Sequence, residues 1–301
     1  MAEKRVEVEY LTRVEGEGSL HITIEGDQVK ELYINVFESP RLFEAFMVGR
    51  RFDEVHKIAS RICGICCVAH QITALRAIEK ALGVEVSEQT KKLRELLALS
   101  GLIQSHALHF FFLGLPDLVG HESLISMASE YPDVAKYGLF LKKAGNDLTE
   151  LLGGRPTHPV TTVVGGFTKL PKQQSLQEFK KVLEEAKGYL EKTAEFVSKL
   201  EIPQFSRQCE HVALWAENHY AVNEGRLRST EGLDIPEDDY PANIEEWHEV
   251  HSNAKHTRVV GRSELLVGPL ARVNISFDEL SPFAKEIANT PVSYTHLRAH
   301  E

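Results

Sequence analysis

The residues best able to do chemistry lie in one short stretch, Arg61-Ile62-Cys63-Gly64-Ile65-Cys66-Cys67-Val68-Ala69-His70. The chain has four cysteines, and three of them are here; the fourth is Cys209. Two thiolates separated by two residues can close on one soft metal ion, because Gly64 lets the backbone wrap around it. The pattern predicts a helix beginning at Cys66, which puts His70 four residues on and on the same face. A histidine there could donate to the Cys66 sulfur and tune a metal. Arg61 adds positive charge that favours thiolate. Spacing alone leaves several readings open. One is a zinc site built from Cys63, Cys66, His70 and Cys209, since a closed site needs four ligands. Another is a thioredoxin-like dithiol, which belongs just after a strand, whereas residues 50–60 read as helical. The third is simply packed thiols.

Those residues need elements to place them. Ser19–Glu25 alternates with period two, Gly26-Asp27 can turn it, and Val29–Phe37 continues as a partner, so residues 5–37 read as strands. From Arg41 the period becomes helical, with Leu42, Phe43, Phe46 and Met47 on one apolar stripe. Cys66–Leu82 reads as a helix closed by Gly83. Ser87 can cap the next, running to about Leu113. Leu96–Val119 is the most apolar long stretch, but Ser100, Gln104, Ser105, His106, His109 and Pro116 make it a buried helix rather than a membrane span. Helices also fit 133–151 and 175–200, the latter amphipathic. Gly153-Gly-Arg-Pro-Thr-His-Pro159 and Gly165-Gly166 mark a shaped loop. Residues 204–275 read as turns and short hairpins. The expected class is α+β, mostly α, with a small N-terminal β portion packed on a large helical core in one compact domain.

Composition narrows the function. Of 301 residues, 43% are hydrophobic and 26% charged, and the net charge is −10. That excludes a disordered chain and leaves no general electrostatic footprint for nucleic acid or anionic lipid. Clustered rather than dispersed cysteines point to metal or redox chemistry in a reducing compartment. The start, MAEKRVEVEY, lacks the apolar core of a signal peptide, so a cytoplasmic location is expected.

Taken together, Thr12-Arg-Val-Glu-Gly-Glu-Gly18, Arg41-Leu-Phe-Glu44, the Arg61–His70 motif, Gly153–Pro159 with Gly165-Gly166, and Val267-Gly-Pro-Leu-Ala-Arg-Val-Asn274 make the chain resemble the large (alpha) subunit of nickel–iron hydrogenases, in particular the soluble cytoplasmic branch. The resemblance runs from about residue 5 to 290. It implies reversible H₂ ⇌ 2H⁺ + 2e⁻ at a Ni–Fe centre whose iron carries CO and CN⁻. By the same resemblance, Cys63 would be a terminal nickel ligand and Cys66 would bridge nickel and iron. His70 would hydrogen-bond near the bridging sulfur. Glu15 would relay protons. Glu44 would ligate a separate structural Mg²⁺ or Fe²⁺, a hard cation suited to oxygen. Arg155, His158 and Pro159 would wall the pocket without a catalytic role. Cys67 and Cys209 would merely pack, and His106, His109, His121, His211 and His219 would be hydrogen-bonded core histidines.

The chain has no cysteines for iron–sulfur clusters, so the resemblance implies an iron–sulfur small subunit. Further partners would be linked to NAD(P), a deazaflavin or a heterodisulfide reductase-like module. The quinone-site subunit of respiratory complex I shares the fold but lacks the nickel cysteines. The family's second Cys-x-x-Cys, in Asp-Pro-Cys-x-x-Cys-x-x-His, is absent: nothing after Cys209 is a cysteine. The expectation is a large-subunit domain over 1–290 without that portion, inactive by itself, followed by a non-native tail over 291–301.

Overall fold

The computed structural model describes residues 3–39, 41–201, 207–262 and 264–288. The expected tail lies outside them. The fold is α+β and mostly helical. Three antiparallel strands, β1 (Glu3–Val8), β2 (Gly18–Glu25) and β3 (Gln28–Val36), form the N-terminal sheet in that order. Gly26-Asp27 makes the turn, with Glu25 facing Gln28. Residues 5–37 are therefore not strand throughout: a loop over 9–17 interrupts them, and that loop carries Glu15.

The helical part follows. It comprises α1 (Phe43–Met47), α2 (Phe52–Ala59), α3 (Cys67–Leu82), α4 (Glu88–Ala107), α5 (Leu115–Leu118), α6 (Leu124–Met127) and α7 (Pro132–Gly153). The apolar stripe expected at Leu42–Met47 is not a core face. Leu42 adopts a left-handed conformation (φ 56°), and Leu42 and Phe46 remain exposed. Gly83 closes α3 with φ 65°, and the Ser87 hydroxyl accepts the Thr90 N–H at 3.2 Å to start α4. Both sites fit the local backbone requirement: a left-handed C′ residue and an N-cap acceptor.

Beyond Ala107 the helix widens into a π-helical segment, Leu108–Gly114, before α5. By length and mean hydropathy (1.5) the stretch Glu88–Leu118 would pass for a membrane-crossing helix, so its polar residues do not exclude that as expected. Within it Leu97, Ser100, Gln104, Ala107, Phe111 and Leu115 are buried in the protein's own packing, while 28% of its most apolar window is buried in all. Much of that packing is against α7. A Cβ at Gly145 would sit 2.5 Å from the Gln104 amide nitrogen, so only glycine allows this crossing. One core gathers Phe111, Leu115, Met127 and Leu141; another gathers Cys67, Val68, Ile72, Leu97, Leu148 and Leu152.

After α7 come a small hairpin, β4 (Thr162–Val163) and β5 (Gly166–Phe167), and the long helix α8 (Gln173–Val197). The expected hairpin region contains β6 (Glu210–Trp215), β7 (Arg226–Ser229), β8 (Asp234–Pro236), α9 (Tyr240–Asn243), β9 (Ile244–His248), β10 (Lys255–Val259), β11 (Leu265–Leu266), α10 (Pro269–Ile275) and α11 (Pro282–Ala288). Strands β11, β6, β7 and β8 make one sheet in that order, and β9 pairs with β10. The Asn253 N–H donates to the Val36 carbonyl at 2.7 Å, tying the β9–β10 loop to the N-terminal sheet.

Candidate metal centre

The cysteine motif is the joint between α2 and α3. A one-turn 3₁₀ segment, Ser60–Ile62, ends α2; Cys63 is extended (φ −145°, ψ 140°), and Cys66 is the N-cap of α3. The turn aims two backbone donors at one sulfur: the Ile65 and Cys66 N–H groups lie 3.3 and 3.0 Å from Cys63 Sγ. Donors so placed stabilise negative charge on sulfur. From the other side, the Arg41 guanidinium donates to the Ile62 carbonyl at 2.6 Å.

Glu15 joins this turn from 48 residues away. The Cys63 thiol donates to Glu15 Oε1 at 3.1 Å. The ligand atoms of Glu15, Cys63 and Cys66 all lie within 4.8 Å of one another. Arg13 holds the Glu15 loop in place, with both guanidinium arms on Asp117 (2.9 and 2.8 Å) and a third bond to the Glu122 carbonyl at 2.9 Å. Cys63 is buried and Cys66 half-buried, whereas Glu15 is exposed. The group therefore has one solvent-facing oxygen ligand and two protected sulfurs.

Electrostatics here disfavour the Cys66 thiolate. Burial pushes the Cys66 thiol up to about 12, and the neighbouring Cys63 and the Glu15 carboxylate push the same way. Arg61 is exposed and is not among the main groups acting on Cys66. A bound cation would reverse this balance, because metal coordination deprotonates thiols outright. The donor set fits a soft metal: two sulfurs on a fixed turn, with amide donors already behind one of them.

The other expected residues are placed as follows. His70 sits one turn along α3, its N–H bonded to the Cys66 carbonyl at 3.3 Å. Burial lowers its imidazole below the usual value, against the pull of Glu15. Among the described residues no hydrogen bond joins its ring to the Cys66 sulfur. His158 is half-buried and Pro159 buried beside the motif, while Arg155 is exposed. Glu44 is exposed on α1 and, among the described residues, stands in no group of three potential metal ligands. Cys209 is half-buried and, like His70, stays outside the Glu15–Cys63–Cys66 group, so the four-ligand zinc set is not assembled.

Of the histidines expected in the core, His211 is fully buried, with Asn274 at 2.7 Å. His106, ahead of the π-helical segment, and His109, within it, are exposed, with Arg272 Nη2 3.4 Å from His106 Nε2. His121 and His219 are only half-buried and pair with Glu130 (3.2 Å) and Glu95 (2.9 Å). A cavity of about 610 Å³ opens beside Cys66, with Val68, Ile72, Leu102, Val212 and Leu214 among its apolar walls.

Comparison with known proteins gives the chain's family. A family model described as nickel-dependent hydrogenase matches residues 41–136. A vhu-type F420-non-reducing hydrogenase chain of Methanocaldococcus jannaschii is 32% identical, over 99% of this chain and 79% of that protein. The chain belongs to the nickel-dependent hydrogenase family. The alpha subunit of sulfhydrogenase 1 from Pyrococcus furiosus is 37% identical over 94% of this chain, which spans 66% of that relative and 44% of the sulfhydrogenase 2 counterpart from the same organism. An NAD⁺-reducing [NiFe]-hydrogenase in the H₂-reduced state superposes with a TM-score of 0.84 at 26% identity, covering 97% of this chain and 72% of that one. The Ni-Fe-Se hydrogenase of D. vulgaris Hildenborough, at 22% identity and a TM-score of 0.80, shares the fold.

Proposed function

We propose that this chain is the part of a hydrogenase large subunit that presents Cys63 and Cys66 to a nickel–iron centre, and that the whole protein interconverts H₂ with protons and electrons. The observation that carries this is the convergence of Cys63, Cys66 and Glu15 within 4.8 Å. When bound, the group supplies a redox-active metal pair, its iron carrying CO and CN⁻, at which H₂ is split. Cys63 Sγ and Cys66 Sγ would be the two sulfurs of this chain that hold the pair. The Ile65 and Cys66 amides steady the charge on Cys63. A proton held on Cys63 Sγ has Glu15 Oε1 as its acceptor at 3.1 Å, and the exposed carboxylate hands it on toward solvent.

His70 would hydrogen-bond near the Cys66 sulfur, the Arg155–Pro159 loop would wall the pocket, and Glu44 would serve a separate Mg²⁺ or Fe²⁺ site. Electrons would leave through an iron–sulfur small subunit toward an NAD(P)-, deazaflavin- or heterodisulfide reductase-linked module, in the cytoplasm. Among the described residues only two sulfurs converge in this group, half the set the resemblance calls for, so the chain alone is expected to be inactive. The test is hydrogen-dependent viologen reduction by the whole protein with its small subunit, together with metal analysis. Nickel and iron with turnover that Cys66→Ser abolishes support the reading. Zinc at one per chain, with no nickel and no turnover, overturns it.

A further inference from the structure

Both ends of the cysteine turn rest on a single residue outside it. His158 donates its backbone N–H to Cys67 Sγ at 3.2 Å. Its ring Nδ1 lies 2.8 Å from the Ser60 carbonyl. A carbonyl only accepts, so Nδ1 carries the proton and donates. Ser60 stands three residues before Cys63, and Cys67 stands directly after Cys66. His158 thus spans the whole segment that holds both sulfurs.

The brace is itself anchored. His158 has a left-handed backbone (φ 54°), which few non-glycine residues adopt without a compensating contact. The next residue, Pro159, takes a hydrogen bond on its carbonyl from buried Gln71 Nε2 at 2.8 Å. Further along, the Gly165 N–H donates to Glu79 Oε1 at 2.8 Å. Cys67, Gln71 and Glu79 are spaced by multiples of four along α3, and all three are buried. One face of α3 therefore holds the loop from His158 to Gly165 like a strap, and the strap holds Ser60.

We propose that His158 is a positioning residue for Cys63 and Cys66, acting through Ser60 and Cys67, and that Cys67 serves as the sulfur acceptor of this brace rather than as packing alone. This rests on the reading of Cys63 and Cys66 as metal ligands. The brace keeps the two sulfurs at a fixed separation before any metal arrives.

The test uses the 301-residue chain, reduced, with Cd²⁺ alone as the probe, followed by thiolate-to-cadmium absorption. Local amide hydrogen exchange is measured in parallel without metal. His158→Gly keeps the left-handed backbone but removes the ring donor. His158→Asn keeps both a tolerant backbone and a side-chain N–H donor. The Gly variant should bind Cd²⁺ about tenfold more weakly and exchange about tenfold faster over residues 60–67, with other helices unchanged. The Asn variant should recover most of both. Wild-type affinity and unchanged exchange in the Gly variant would overturn the proposal. If wild type binds no Cd²⁺, the metal reading fails, and the exchange comparison alone decides the brace. If the Gly variant does not fold, Cys67→Ala takes its place: faster exchange at Ser60–Ile65 supports the brace, and unchanged exchange overturns it.

Discussion

The two ends of α3 treat polar groups in opposite ways. At the N-terminal end, the ligand atoms of Cys63, Cys66 and Glu15 lie within 4.8 Å of one another, and burial, Cys63 and the Glu15 carboxylate hold the Cys66 proton on up to about 12. At the other end, Glu79 and Arg94 are 5% and 3% exposed and form a two-armed ion pair at 2.6 Å on each arm. That pair also bonds the Gly165 N–H and the Val163 carbonyl, so the β4–β5 hairpin is fastened to it. One end gathers two sulfurs and a carboxylate, with the Arg41 guanidinium on the neighbouring Ile62 carbonyl rather than on them, and the other end pairs its charges directly. The contrast separates a site built to receive a metal from the anchor that keeps it in shape. A buried ion pair is poor evidence for stability by itself, but breaking one leaves an uncompensated charge.

The largest effect that bears on this contrast is at the sulfur end. Cys63→Ser in the whole protein, assembled with its small subunit, should abolish nickel incorporation and hydrogen turnover, because a hydroxyl replaces one of the soft donors on the turn. Metal analysis beside a dye-reduction assay checks it. Retained nickel at wild-type stoichiometry would mean that the sulfur end is not the receiving site.

The anchor end predicts the next largest effect, and on stability. Arg94→Ala strands the Glu79 carboxylate in the core and should cost about 3–5 kcal/mol in denaturant unfolding. The double change Glu79→Leu with Arg94→Met should recover most of that, since apolar groups of similar volume need no partner. A single-variant loss under about 1 kcal/mol would show that the pair is not the anchor.

Glu15→Gln tests whether the two ends differ in function as well as charge. The amide keeps the size of the carboxylate but cannot take the Cys63 proton. Metal content should stay and turnover should fall about a hundredfold, a typical contribution of one positioned proton acceptor. Equal loss of metal and turnover would make Glu15 a ligand rather than a relay.

The parts of this arrangement that could be read from sequence are those with a local code. The β2–β3 hairpin follows from alternation around Gly26-Asp27, and the limits of α3 and α4 from Gly83 and Ser87. These signals depend on neighbours a few residues away. The Cys63–Cys66 spacing is local too, and it suggested a soft metal. Glu15 was reachable only through resemblance, because nothing in spacing joins residues 48 apart. The His158–Cys67 bond was not legible at all. It is made by a backbone N–H, which every non-proline residue carries, so no residue type announces it. The exposed stripe at Leu42–Met47 misled for the converse reason: helical period signals an apolar face, but a five-residue helix has no neighbour assured for it.

The smallest effect sharpens the anchor side. His56 is 1% exposed, and among the described residues neither ring nitrogen meets a hydrogen-bond partner in both distance and angle, the Thr162 backbone lying nearby. Burial holds its imidazole below the ordinary 6.5; Lys57 and Arg94 add to this, and Asp53 and the Thr162 backbone oppose it. The folded protein therefore binds this proton less readily than the unfolded chain does. Between the two pKa values the unfolded state holds more protons, so stability drops as pH falls below 6.5, and above that pH His56 contributes no dependence. His56→Leu removes the titrating group and fills similar space. Its unfolding free energy should match or exceed wild type at pH 7.5. It should then fall less steeply toward pH 5.5, by at most about 1.4 kcal/mol per pH unit. Parallel curves for the two proteins would mean that the imidazole finds a partner in solution, and that the anchor end is no more dependent on its neutral state than the sulfur end.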